Sequence, residues 1–208
     1  MSDVKTVLDK GVAVLTAQAD LTIVELQLEE IRLSGREPRA ELWAPRVSGR
    51  DFVAERLRID MSVPEKTLEV GRKVAQDVAI RVEIGTLTPM DLEQARTLIL
   101  CVESSITALQ RKLAIRQQFL SGRIDAVETE LRALEVEAQQ RANSLAPQIA
   151  LAIAHEARLV KRAEGGVSQS VEVVEAKLRR LALEEALGMA ELDLAQIRRR
   201  LAEYRKRD

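Results

Sequence analysis

Aromatic residues are scarce in this chain. They make up 2% of the 208 residues, whereas charged residues make up 31%. Aromatic side chains bury the most surface per residue, and a globular core of this length normally uses more of them. Leu, Val, Ile and Ala fill most of the apolar positions instead. This composition favours long helices packed in thin layers over a thick globular core.

Cysteine and histidine occur once each, as Cys101 and His155. A lone cysteine forms no intramolecular disulfide, so it does not indicate the compartment of the protein. No second histidine or cysteine stands at metal-ligand spacing. No glycine-rich loop is followed by the Lys-Ser or Lys-Thr of a phosphate-binding loop. We therefore expect Cys101 to be a small packing residue, His155 to lie on a helix surface or in a seam, and the protein to be no enzyme and to need no cofactor.

The charges of the chain balance. It has 32 Lys and Arg against 33 Asp and Glu, a net charge of -1. Without an overall positive field we expect no nucleic-acid partner. The longest uncharged run, 142–155, contains Pro147 and is shorter than the about 20 residues that cross a bilayer. Asp3 and Asp9 flank the first apolar residues, unlike in a signal peptide. We expect no signal peptide and no membrane insertion by this chain.

Apolar residues recur in alternating steps of three and four, the spacing that places them on one side of a helix. Five such rows predict five helices. The rows are Val4, Val7, Val14, Ala17, Leu21, Val24, Leu28 and Ile31; Leu57, Met61, Leu68, Ala75, Val78 and Val82; Leu92, Ala95, Ile99, Val102, Ile106, Leu109 and Leu113; Ile124, Val127, Leu131, Leu134 and Ala138; and Leu187, Ala190, Leu194, Ile197, Leu201 and Tyr204. Short turns force sequential helices to fold back. The sequence therefore predicts an all-α fold of long, antiparallel, coiled-coil-like hairpins.

Local signals predict where helices begin and bend. Thr88 is a good N-cap, and Pro89 follows it at the first helical position. The fifth helix is expected to begin near Ser168. Proline removes a backbone donor, so we expect the second helix to bend near Pro64 and the fourth to kink at Pro147.

The longest connection follows the first helix and contains the only tryptophan, Trp43. We divide the chain into residues 1–49, the first helix with this loop, and residues 50–208, a duplicated helical-hairpin bundle continuous with it. An isolated aromatic residue in a proline-containing loop is a candidate anchor for a partner. The alternative is that Trp43 folds down and caps the bundle next to Phe52 or Phe119.

Two glycine-containing turns, in 81–96 and 162–177, have related sequences. One inserted residue aligns Gly85 with Gly165 and Gly166, Thr88 with Ser168, and Asp91 with Glu172. A similarity spaced by two helices predicts a duplicated hairpin unit. If the helices alternate in direction, both turns lie at one end, and the long loop and the Ser121–Gly122 turn lie at the other.

The first turn resembles the hairpin tips of TolC-type outer-membrane efflux proteins, which have the form Arg-x-x-x-Gly-x-x-x-x-x-Asp-Val-x-x-Ala-Arg. The matching residues are Arg81, Gly85, Asp91, Leu92 in place of Val, Ala95 and Arg96. The second turn matches loosely, and the chain has no segments patterned as barrel strands. In that family the tips meet a periplasmic adaptor protein. The resemblance therefore implies a periplasmic location and makes Gly85–Asp91 and Gly165–Glu172 partner-binding tips.

Helix capping explains the same residues without a partner. Glycine reaches the left-handed conformation that often ends a helix. Thr88 or Ser168 caps the following helix, and Asp91 or Glu172 favours its positive end. Duplicated hairpins would therefore carry duplicated caps.

These observations predict a non-enzymatic helical scaffold that presents hairpin tips to a protein partner, either an adaptor or its own copies, in efflux or in the bacterial envelope. An efflux-like tunnel would require several copies around an axis. The alternative is a sensor or regulatory ectodomain that binds a small ligand or a metal ion. The candidate tip residues are Arg81, Gly85, Thr88, Asp91, Gly165, Gly166, Ser168 and Glu172, and the candidate anchor is Trp43.

Overall fold

The computed structural model describes residues 2–165 and 170–206, with side chains from residue 12 onward. These residues form five helices: α1 Ser2–Ser34, α2 Phe52–Glu83, α3 Pro89–Leu120, α4 Ala126–Glu164 and α5 Ser170–Tyr204. The shortest has 32 residues, and at 1.5 Å per residue each helix is at least about 48 Å long. The predicted all-α fold of helical hairpins is confirmed.

Polar caps begin α3 and α4. The Thr88 backbone N–H and hydroxyl both donate to the Asp91 carboxylate at 2.8 Å, which confirms the predicted start of α3. Asp125 precedes α4 and accepts from the backbone N–H of Glu128 at 2.8 Å. Pro64 and Pro147 lie inside α2 and α4 and end neither helix. The expected bends at these prolines stay predictions.

Each helix packs against its neighbours in the chain. Among the described residues, α1 contacts α2, α2 contacts α3, α3 contacts α4 and α4 contacts α5, and no other pair of helices is in contact. The helices therefore form a single antiparallel layer, with α1 and α5 at its two edges. A helix inside such a layer is covered on two sides, whereas an edge helix is covered on one.

The main core lies at the end of the layer where the loop of residues 35–51 folds back onto α2, α3 and α4. Its buried residues are Leu42, Ala44, Val53, Ala108, Ile115, Ile124 and Val136, and Leu57, Phe119 and Ala133 pack against them. The loop is thus part of the core. We call this end of the layer the loop end and the opposite end, which carries Gly85 and Gly165, the tip end.

Contacts between the helix termini confirm the predicted grouping of the turns. Arg116 near the end of α3 donates to the Leu42 carbonyl of the loop, and Tyr204 at the end of α5 donates to Asp125 before α4. The predicted boundary between residues 49 and 50 falls in a tight turn closed by backbone hydrogen bonds between Val47 and Arg50, and it stays a prediction. In the described part of the chain, no helix has an apolar stretch long enough to cross a membrane.

Candidate functional site

The first predicted tip, between α2 and α3, has a backbone fixed by its own hydrogen bonds. Gly85 has φ of 76°, in the left-handed region that residues with side chains rarely adopt. Its N–H donates to the Val82 carbonyl at 3.0 Å, and the Thr86 N–H donates to the Arg81 carbonyl at 2.9 Å. These two bonds form a Schellman motif. The Arg81 guanidinium pairs with Asp77 at 2.8 Å, so Arg81 serves the end of its own helix.

The same tip exposes aliphatic side chains. Ile84 is 68% exposed and Ile80, one helical turn earlier, is 59% exposed. Thr88 and Asp91 are already paired with each other in the cap of α3. A partner at this tip would therefore meet Ile80 and Ile84 first. Sequence reasoning missed both residues because they lie outside the predicted apolar row of α2, and their spacing of four was the available signal.

The structure describes the second predicted tip as far as Gly165. Gly165 ends α4 with φ of -81°, and its N–H donates to the Lys161 carbonyl at 3.2 Å. Gly165 thus holds the C-cap position that Ile84, with φ of -84°, holds before Gly85. Gly166 and Ser168 lie outside the described residues. Glu172 lies in the first turn of α5, as expected for a residue that favours the positive end of the helix.

A second described turn with the geometry of Gly85 is the one at Gly122. Gly122 has φ of 69°, its N–H donates to the Phe119 carbonyl at 2.9 Å, and the Arg123 N–H donates to the Gln118 carbonyl at 3.0 Å. These are again the two bonds of a Schellman motif. Because Gly122 lies at the loop end, the repeated turn geometry does not mark the tip end.

Trp43 lies between two buried residues of the loop. Leu42 and Ala44 belong to the core that Phe119 packs against. Trp43 itself is half-buried, and the Arg39 guanidinium lies 4.7 Å from the centre of its ring. Leu42 and Ala44 therefore anchor the loop, and Trp43 with its stacked arginine remains the candidate anchor for a partner.

Arg116 of α3 holds the loop from inside the protein, and its side chain is 1% exposed. Its Nη1 donates to the carbonyls of Leu42, at 2.8 Å, and Ala44, and its Nε donates to Asp51 Oδ1 at 3.1 Å. Its Nη2 lies 3.0 Å from the same oxygen, although without the angle of a hydrogen bond. A buried guanidinium must be paired to be tolerated, so the loop and α3 depend on each other.

A second buried arginine attaches α1. Arg56 of α2 pairs with Glu30 of α1 and donates to the Arg39 carbonyl of the loop. Nearby, Arg50 bonds Glu55 at 2.7 to 3.1 Å and also contacts Glu29 of α1. The hydrogen bonds from Arg50 lower the pKa of Glu55. These ion pairs turn one side of α1 toward α2. The burial of Glu30 was not predicted from the sequence, although Glu30 stands four positions, about one helical turn, after Leu26, which is also buried.

The apolar row that marks α1 faces away from α2. Its described large residues, Val14, Leu21, Val24, Leu28 and Ile31, are each 40 to 62% exposed. The opposite side of α1 carries Leu26 and Glu30, which are buried against the rest of the chain. The regular row of α1 is therefore not covered by any other part of the chain that the structure describes.

The helix at the other edge, α5, carries two apolar rows on opposite sides. The predicted row, from Leu187 to Leu201, is buried or half-buried against α4. The second row was not recognised in the sequence. It keeps the three-four spacing over Val171, Val174, Leu178 and Leu181 and resumes at Leu192 after Glu185 and Gly188. Its five aliphatic side chains are 44 to 60% exposed. Both edges of the layer thus expose rows of aliphatic side chains.

The two side chains most often used in catalysis and metal binding, Cys101 and His155, lie on different helices. Cys101 is half-buried, and its Sγ lies 3.5 Å from the Ser144 carbonyl of α4. Burial raises the pKa of the Cys101 thiol, which keeps it protonated at neutral pH and unreactive. His155 is exposed on α4. Within residues 2–165 and 170–206, no group of three or more His, Cys, Asp or Glu side chains is placed to hold a metal ion.

Comparison of the chain with protein-family models, with curated proteins and with solved structures finds no match. The features that bear on function are therefore those of the chain itself. They are the tip at Gly85, the loop around Trp43 and the exposed rows on α1 and α5.

Proposed function

We propose that this protein is a non-enzymatic helical scaffold that assembles through the edges of its layer and presents its hairpin tips to a protein partner. The observation that carries the proposal is the pair of exposed apolar rows on α1 and α5. Rows with three-four spacing pack against other helices as knobs into holes. Exposed apolar rows of this length on a folded chain are typical of protein-protein contact surfaces.

The geometry of the layer favours other copies of the chain as the first partner. The rows have similar lengths, 14–31 on α1 and 171–192 on α5. Four reversals of direction separate α1 from α5, so both run from the tip end to the loop end. When the α5 edge of one copy meets the α1 edge of the next, the contact is heterologous, and it repeats to a ring where the rotation between copies closes. An efflux-like tunnel needs this kind of assembly.

In such a ring the Gly85 tips of all copies gather at one end. Ile80 and Ile84 would then form a circle of aliphatic side chains, a surface that favours protein contact over water. The resemblance of this turn to TolC-type tips makes a periplasmic adaptor protein the candidate partner there. The tip therefore supplies a second binding surface, separate from the edges.

Solution mass measured by light scattering across protein concentration tests the assembly. We expect a trimer or larger species for the wild-type chain and a monomer for the variant Leu21→Gln with Leu28→Gln, whose exposed row is interrupted. Ile80→Gln with Ile84→Gln is the matched control, because it removes equally exposed aliphatic side chains at the tip. That control should keep the assembled mass. A wild-type monomer at every concentration would contradict assembly through the edges.

The tip contact is tested separately with an adaptor hairpin from the host organism, immobilised on a biosensor. The variant Ile80→Gln with Ile84→Gln should lose binding while its solution mass is unchanged. Binding that survives this double substitution would exclude the Gly85 tip as the contact.

A further inference from the structure

A groove of about 500 Å³ lies at the loop end on one face of the layer, with α4 as its floor and α3 and α5 as its walls. Each helix lines it with four residues at positions i, i+3, i+4 and i+7, which span 111–118, 132–139 and 198–205. Seven residues of helix correspond to about 10 Å. The groove is therefore open, two helical turns long, and lies between three aligned helices. We call it the trench.

The bottom of this trench is aliphatic. Ile115, Val136 and Leu201 come from the three different helices and are all buried, and Ala114 and Ala202 lie beside them. No aromatic residue lines the trench. The apolar surface open to a ligand comes mainly from Ala114 and Ala202, which are exposed, and the bottom offers no aromatic ring on which a nucleic-acid base would stack.

Arginines stand at both ends of the trench. Because neighbouring helices are antiparallel, Arg132 and Arg205 lie at its loop end, and Arg111 and Arg198 lie at the end nearer the tips. The side chain of Arg132 donates to Gln118 at the loop end. One heptad separates the two pairs of arginines on these helices.

The positive charges exceed the negative charges beside them. Arg132 and Arg205 share Glu128, at 2.7 and 2.8 Å, and Arg198 pairs with Glu135 at 2.9 Å. Arg111 has no ion pair and no hydrogen bond in the described structure, and it is exposed. Four arginines against two glutamates leave two positive charges along the trench.

We infer that this trench binds an acidic amphipathic helix, which places an apolar pair at positions i+3 and i+4 on the aliphatic bottom and carboxylates at positions i and i+7 against the arginines. A helix laid between two others on the floor of a third completes a four-helix arrangement, a common way to cover such a face. Arginine binds carboxylates with paired, charge-assisted hydrogen bonds. The seven-residue spacing of the arginines along the trench thus matches carboxylates at the same position of two successive heptads of the ligand.

The probe is a synthetic fluorescein-labelled helical peptide with two glutamates seven residues apart on either side of a leucine pair. Its control has lysines in place of the two glutamates. By fluorescence anisotropy, the wild-type chain should bind the acidic peptide at least about tenfold more tightly than the lysine peptide. Added salt should weaken this binding, because it screens the charges.

The variant Arg111→Glu with Arg198→Glu reverses the charge at one end of the trench without touching the buried residues. It should lose at least about tenfold in affinity for the acidic peptide and gain affinity for the lysine peptide. Arg179→Glu, an exposed position in the other half of α5, is the matched control and should bind like the wild type. Circular dichroism checks that all variants keep their helices.

Three results would overturn the inference. The first is equal binding of the acidic and lysine peptides by the wild-type chain. The second is a loss for Arg179→Glu as large as for the double variant. The third is that a single-stranded oligonucleotide binds at Arg111 and Arg198 and the acidic peptide does not, because the trench would then bind nucleic acid and not a helix.

Discussion

Asp51 and Arg116 join the loop to two helices through one carboxylate. Asp51 Oδ1 accepts a hydrogen bond from the Ala54 N–H at 3.1 Å, which caps α2, and another from Arg116 Nε at 3.1 Å. The same group therefore starts a helix and neutralises a buried guanidinium of α3. Since Arg116 also holds two loop carbonyls, the loop, α2 and α3 form one cooperative unit.

Replacing Arg116 with Ala should therefore destabilise the protein strongly. The substitution removes the charge partner of Asp51 and the side-chain donor to the carbonyls of Leu42 and Ala44, and breaking a buried ion pair from one side costs about 3 to 5 kcal/mol. Urea unfolding followed by circular dichroism measures this loss, and the fluorescence of Trp43 reports on the loop. Arg111→Ala, an exposed position on the same helix, should cost less than about 0.5 kcal/mol. Similar losses for the two variants would contradict the assigned role of Arg116.

The two glycines of the predicted tips should respond differently to alanine. Gly85→Ala places a side chain at φ of 76° and should cost about 1 to 2 kcal/mol of unfolding free energy. Gly165 already has φ of -81°, so Gly165→Ala should be neutral or stabilise by about 0.4 to 1 kcal/mol. Parallel urea titrations of the two variants compare them directly. Equal losses would contradict the difference in backbone conformation between the two glycines.

Leu42 and Trp43 are neighbours with different expected roles. Leu42 is buried in the core, and Leu42→Ala should cost about 2 to 4 kcal/mol. Trp43 is half-buried under Arg39, so Trp43→Ala should cost less. Urea unfolding of both variants is followed by circular dichroism, because Trp43→Ala removes the only tryptophan and with it the fluorescence signal. A larger loss for Trp43→Ala would make Trp43 the cap of the loop end and remove it as a candidate anchor.

The contact between Tyr204 and Asp125 predicts a dependence on pH. The hydrogen bond from Tyr204, followed by that from the Glu128 N–H, lowers the pKa of Asp125 in the folded chain. A lowered carboxyl pKa contributes stability above the unfolded value of about 3.9, and this contribution is lost as pH falls through the folded pKa. Tyr204→Phe removes the largest cause of the shift.

The melting temperatures of the wild type and Tyr204→Phe should therefore differ at pH 7 and pH 5 and converge as the pH falls through the lowered pKa of Asp125. Thermal unfolding at pH 7, at pH 5 and in steps toward acid measures the difference. Arg200→Gln, an exposed position on the same helix, should show no such convergence. A difference that grows in acid would mean that Asp125 is not the group that titrates.

The sequence by itself determined the helices and several of their ends. Three-four spacing and capping depend on residues within one or two helical turns, so local sequence contains the information. The positions of Thr88, Pro89 and Asp91 at the start of α3 were predicted for this reason. The left-handed conformation expected of a turn glycine is found at Gly85, and its counterpart Gly166 lies outside the described residues.

Only the tertiary structure decided which side of each edge helix is covered. Both α1 and α5 have two sides that carry apolar residues, and periodicity does not distinguish the packed side from the exposed one. On α1 the ion pair between Glu30 and Arg56 turns the less regular side toward α2. The burial of Arg116 and the trench with its four arginines could not be predicted from the sequence either. Each depends on side chains from distant parts of the chain, and only the packing of one helix against the next brings those groups together.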